Sequence, residues 1–155
     1  MIYPTLCQII EKCVNFKVRI NAAAALAVPT HREYFGGHFF SIWKSLIVAL
    51  KESDNIIDFN EFQHQDNLVD QLCITMSHLV CLSGANDIVS LNTDVDKDAI
   101  LPKWIRVGNR LVPERACILL KASCRLEELQ KSLSGRKDAL QNLIETFSCT
   151  TKELL

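Results

Sequence analysis

Asn15-Phe16-Lys17-Val18-Arg19-Ile20-Asn21-Ala22-Ala23-Ala24-Ala25-Leu26 is the stretch that decides the fold. Asn15 stands three residues before Val18, the spacing at which a capping side-chain oxygen accepts an amide of the first helical turn. Behind it Val18, Ala22, Ala25 and Leu26 recur at helical intervals on one face, and the small alanines let a neighbouring helix approach closely. Pro29 stops the helix. Just upstream, Leu6, Ile9, Ile10 and Cys13 fall at i, i+3, i+4 and i+7, a short first helix after Pro4.

The same periodicity continues along the chain, and strand alternation is nowhere sustained. Thr30 and Glu33 have capping-box spacing and open a brief turn that Gly36-Gly37 breaks. Phe39, Trp43, Leu46, Ile47 and Leu50 form one stripe, ended by Ser53-Asp54-Asn55. Asp58 with Glu61 repeats the capping spacing. A single helix from 58 to 82 would place Glu61 on the side of Leu72 and Leu79, so a break near 63–66 is expected, with Asp66 as a second cap. Beyond it Leu68, Val69, Leu72, Cys73, Met76, Leu79 and Val80 form an apolar arc. Asp66, Asn67, Asp70, Gln71 and His78 lie outside that arc, and Ser83-Gly84 closes the helix.

Ile88, Leu91 and Val95 fit a further helical face, interrupted by Asn92-Thr93-Asp94. Pro102 bends or restarts a helix carrying Trp104 and Ile105, which ends at Gly108-Asn109. Pro113 suits the first position of the next helix, with Glu114 complementing its dipole. That helix shows Ala116, Leu119, Leu120, Ser123, Leu126, Leu129 and Leu133 on its apolar side, and Gly135 stops it. Leu140, Leu143, Ile144 and Phe147 mark a last helix. The expected fold class is all-α.

A chain of 155 residues is about one domain and should bury roughly 70% of its unfolded surface. Its 17 Lys plus Arg against 18 Asp plus Glu give a net charge of −1, which argues against nucleic acid or an anionic membrane as a partner of the whole surface. The charge is unevenly placed, however. Residues 1–51 carry +4, residues 52–96 carry nine acids with no Lys or Arg, residues 97–137 carry +6, and residues 138–155 carry −2. The longest apolar runs, 42–50 and 22–29, fall far short of the about 20 residues of a membrane span. Seven cysteines form an odd set with no Cys-x-x-Cys pair, and no secretory leader pattern precedes them. The expected setting is therefore intracellular and reducing.

Taken with its cap, Val18-Arg19-x-x-Ala22-x-x-Ala25-Leu26 resembles the second helix of a HEAT or armadillo repeat. In such a repeat Val and Leu face the partner helix, Ala admits the adjacent repeat, and Arg bonds across repeats from the flank. The resemblance implies a right-handed α-solenoid of stacked helix pairs, with repeats near 4–29, 38–83 and 86–134 and a terminal helix at 136–150. Asn15 stands where the family usually has Asp, and the later repeats lack the Val-Arg pair, so a continuous Asp/Arg ladder is not expected. The whole stretch, through Tyr34-Phe35-Gly36 and Trp43 to Lys152-Glu153-Leu154-Leu155, is similar to the C-terminal end of a longer protein of this family. A fragment or a short gene product is implied, with the Leu6/Ile9/Ile10 face packing against a preceding repeat.

The function so implied is a non-enzymatic scaffold or adaptor for protein partners, its groove lined by helices at 17–28, 66–82 and 113–133. Asp66 and Asp70, with Asn67 and Gln71 beside them, would receive a basic peptide. Lys121 and Arg125 at i, i+4 suit an acidic partner or phosphate. Two other readings compete. Lys103, Arg106, Arg110, Arg115, Lys121 and Arg125 could form a nucleic-acid stripe, or the segment could be a purely structural end cap whose acidic and basic blocks neutralise one another.

No catalytic residue, cofactor or metal site is expected. Asp94-Val95-Asp96-Lys97-Asp98 begins like a calcium loop but has Ala99 at the glycine position and Ile105 at the bidentate glutamate position. His78 and Cys81 at i, i+3 would need two further zinc ligands, and Cys73 projects to the apolar side. Cys117 and Cys124 lie near Lys121 and Arg125, whose charge would favour a thiolate, and redox sensing is the minor reading beside ordinary packing.

Overall fold

The Asn15 side chain accepts the Val18 amide at 3.2 Å in the computed structural model of the chain, and the cap sits where the spacing placed it. The structure describes residues 2–53, 62–84, 86–87, 90–91, 100–133, 144 and 146. Among them the chain is all-helical: α1 (Ile2–Lys12), α2 (Phe16–Ala25), a 3₁₀ segment (Arg32–His38), α3 (Phe39–Ser53), α4 (Phe62–Leu82), α5 (Ile100–Gly108) and α6 (Pro113–Leu133). Two compact units divide it, Met1–Leu79 and Val80–Leu155.

In the first unit α1 packs against both α2 and α3. The predicted α3 stripe is the heart of the core: Phe39, Trp43, Leu46, Ile47 and Leu50 are all buried. Glu11 on α1 accepts the Ser45 hydroxyl of α3 at 2.5 Å. Gly36 breaks the chain before α3 with φ +53°, a conformation that glycine adopts without steric cost. Around this break, Tyr3 on α1 donates to the Tyr34 carbonyl at 2.8 Å, while the Phe35 ring packs against Tyr3 and Phe39.

Three expectations need correcting here. The buried face of α2 is Phe16, Arg19, Ala22 and Ala23, continued by Leu26, whereas Val18 and Ala25 are exposed. Burial of the Phe16 ring sets the rotation, since that large side chain gains more than Val18 from leaving water. The 3₁₀ segment begins after His31, which makes no side-chain cap, so Thr30 and Glu33 form no capping box; Thr30 Oγ1 pairs instead with His31 Nδ1 at 2.9 Å. Ile10 is fully buried and Leu6 and Ile9 half-buried, so that face of α1 is already largely covered within its own unit.

Helix α4 runs unbroken from Phe62, and Asp66 lies inside it rather than capping a second helix. Glu61, whose side raised the conflict, lies outside the described residues. Gln65 donates through Nε2 to the Ser53 carbonyl and ties the first turns of α4 to the end of α3. The predicted arc, Leu68 through Val80, is buried, and Ile74, Thr75 and Ser77 are buried with it. The Ser77 hydroxyl is satisfied by the Cys73 carbonyl at 2.7 Å, the back-bond by which a helical serine enters a core.

In the second unit α5 packs on α6. Trp104 and Val107 of α5 and Ala116, Leu119, Ala122, Ser123 and Leu126 of α6 are buried, as is Leu91. Pro102 is accommodated in the first turn of α5, where its missing amide is not needed. Pro113 opens α6 with Glu114 in its first turn. Of the expected helix at 136–150 only Ile144 and Thr146 are described, both helical; the Gly135 stop, the calcium-like run at 94–98, and the caps at Asp58 and Glu61 lie outside the described residues, as do the side chains of Leu129 and Leu133.

Candidate functional site

Burial on one side of α4 leaves its early polar positions on the other. Asp66 and Asn67 are exposed, and Asp70 and Gln71 are half-buried. Further along, the polar flank turns inward and becomes structural. Gln71 Nε2 donates to Thr75 Oγ1 at 3.2 Å, and Thr75 Oγ1 donates to the Ala23 carbonyl of α2 at 2.8 Å. His78 Nε2 reaches the Pro29 carbonyl at 2.6 Å, so it is a tether for the chain beyond α2 rather than a surface histidine.

Thr75 is fully buried, so Thr75→Val should cost about 1–3 kcal/mol by leaving the Ala23 carbonyl and Gln71 amide short of a partner. Thr75→Ser, which keeps the hydroxyl, should cost less. A urea titration followed by circular dichroism measures both.

Arg19 is the charged residue the sequence reading placed on a flank. It is only 7% exposed. Its Nε donates to the Ile10 carbonyl of α1 at 2.7 Å, and its guanidinium lies 5.9 Å from the Phe16 ring centroid. Burial pulls the guanidinium below its ordinary pKa, with Glu52 and Cys13 acting in the opposite direction. Among the described residues, Nη2 meets no hydrogen-bond partner.

Lys121 and Arg125 stand on α6 in the second unit, Lys121 exposed and Arg125 half-buried. Arg125 donates through Nη2 to the Ser83 carbonyl just past the end of α4, a cation placed where a helix leaves carbonyls unpaired. With Leu120, Cys124 and Cys81 these two residues line an open cavity of about 470 Å³. Cys117, which the spacing had grouped with Cys124, is not among its walls. The thiol of the pair comes from α4 instead, and sequence spacing within one helix gave no sign of it. Burial pushes the Cys81 thiol upward in pKa, while Arg125 and then Lys121 draw it down. Of the basic stripe, Arg106, Arg110, Arg115 and Lys121 are exposed and Lys103 half-buried.

Among the described residues no three His, Cys, Asp or Glu side chains gather to hold a metal ion, and no helix is long and apolar enough to cross a membrane. A second open cavity, of about 280 Å³, lies beside Val14, Asn15, Phe16, Lys17 and His64.

No family model matches the chain, and no solved structure matches it. An uncharacterised protein of Dictyostelium discoideum is 37% identical over 92 residues, covering 59% of this chain and 6% of that protein. The chain thus spans a small part of the length of that relative.

Proposed function

We propose that the chain is a segment of a HEAT-type α-solenoid, a right-handed stack of helix pairs that acts inside the cell as a non-enzymatic scaffold for protein partners. The observation that carries this reading is the division of α4. Its apolar arc is buried, while Asp66 and Asn67 remain in solvent within a segment, 52–96, that holds nine acids and no Lys or Arg. Such a flank suits a basic protein segment, with charge setting association rate and partner choice more than raw affinity. The pairing of α1 with α2, the buried Arg19 bonded across that pair, and the exposed apolar Val14 and Val18 support a helical repeat with a surface left for a neighbouring helix pair.

The second reading, a nucleic-acid adaptor, draws on the exposed Arg106, Arg110, Arg115 and Lys121 of the second unit. Fluorescence anisotropy separates the two. A labelled Lys/Arg-rich peptide should bind the chain, release as salt rises, and bind about tenfold more weakly to the Asp66→Lys/Asp70→Lys variant, a difference of about 1.4 kcal/mol. Peptide binding unchanged by that variant, or binding only of labelled RNA with a steep salt dependence, would overturn the acidic-flank reading.

A further inference from the structure

We propose that the cavity lined by Cys81, Leu120, Lys121, Cys124 and Arg125 is a thiol-exchange site that accepts the disulfide of a small anionic thiol peptide, with Cys124 attacking first and Cys81 resolving. Two thiols from different helices, Cys81 in the last turn of α4 and Cys124 in the body of α6, open into one cavity. Both are half-buried thiols, within reach of a solute yet sheltered. The volume, about 470 Å³, falls in the range that holds a small organic ligand. Lys121 and Arg125 give the walls two cations, which favour an anionic solute even though Arg125 Nη2 already serves the Ser83 carbonyl.

The order of attack follows from position. Lys121 lies one turn before Cys124 on the same helical face and lines the same cavity, so an anionic disulfide drawn to Lys121 meets Cys124 first. Cys81 is held toward its protonated form by burial, which the two cations only partly offset. The Cys124 thiolate attacks one sulfur of the peptide disulfide, whose S–S bond breaks, and the departing sulfur carries off the electron pair as a peptide thiolate. Cys81 then loses its proton to water, and its thiolate attacks the Cys124 sulfur. The second peptide thiolate leaves, and a Cys81–Cys124 disulfide remains. Two protein thiols are oxidised, one peptide disulfide is reduced to two thiols, and the two protons released end on those thiols. The disulfide of the peptide is the only oxidant required.

The test uses the full chain with glutathione disulfide, which is anionic, and cystamine, which is cationic, under native conditions at low salt. Products are mapped by mass spectrometry after rapid alkylation. Glutathione disulfide should modify Cys124 before Cys7, Cys13 or Cys117 and about tenfold faster than cystamine does. Lys121→Ala, a change at an exposed position, should reduce that preference. In the Cys81→Ser variant the mixed disulfide should accumulate on Cys124, whereas the unaltered chain should proceed to the Cys81–Cys124 disulfide. Equal modification of all cysteines, a faster reaction with cystamine, or persistence of the mixed disulfide with Cys81 intact would overturn the proposal.

Discussion

Replacing Trp43 with Ala should remove about 3–5 kcal/mol of stability, the range for deleting a large aromatic from a close-packed core. Trp43 is fully buried at the centre of the α3 stripe, among Phe39, Leu46, Ile47 and Leu50. Its indole Nε1–H is buried with no hydrogen-bond partner among the described residues. That second fact makes the conservative variant informative. Trp43→Phe forfeits some packing volume but also removes an unpaired buried donor, whose desolvation is worth about 1–3 kcal/mol. The two contributions oppose, and Trp43→Phe should fall within about 1.5 kcal/mol of the unaltered chain. Urea titrations of both variants check this, with the midpoint moving and the slope held. Equal losses for Phe and Ala would mean that the indole N–H is satisfied in solution.

The second large effect belongs to Arg19. Arg19→Ala should cost about 2–4 kcal/mol, because it removes both the bond to the Ile10 carbonyl and the packing of the side-chain stem between α1 and α2. Arg19→Met keeps a long apolar stem and removes a buried charge that desolvation already disfavours. Replacing a buried charged group by an apolar one of similar size is often nearly neutral. Met should therefore recover at least half of the Ala loss in the same titration. A Met variant as unstable as the Ala variant would assign the energy to the guanidinium bond and not to the stem.

Much of the fold was legible because strong apolar contrast carries phase. Phe39, Trp43, Leu46, Ile47 and Leu50 recur at helical intervals with Ser41 and Lys44 off their face, and Leu68 through Val80 do the same against Asp66, Asn67, Asp70 and Gln71, so each stripe has a readable orientation even though Ile42 and Ile74 widen the buried arc. The caps were legible where chemistry is local, at Asn15 and Pro113. In α2 the contrast is weak: four consecutive alanines fit any face, so the rotation is set by one ring, Phe16, which lies outside the motif that drew the eye. Arg19 was expected on the flank, bonding across repeats; its partner is instead the Ile10 carbonyl of α1 within the same helix pair, which only the packing of α1 on α2 supplies.

The polar residues divide in the same way. Asp66 and Asn67 are exposed, as their place outside the apolar arc implied, while Gln71 and His78, equally polar and equally outside that arc, are engaged with Thr75 and with the Pro29 carbonyl. Periodicity distinguishes apolar from polar, but it does not distinguish a polar residue that meets water from one that meets another helix. Cys81 is the same lesson in reverse. Its neighbours along α4 pointed to His78, and its neighbours in space are Lys121, Cys124 and Arg125.

The scaffold reading is tested most directly by proximity labelling in cells, with a biotin ligase fused to the chain and to its Asp66→Lys/Asp70→Lys variant, both matched in abundance and shown by circular dichroism to be equally helical. The unaltered chain should label a set of proteins bearing basic segments that the variant fails to label. Identical neighbours in identical yield from the two chains would contradict it.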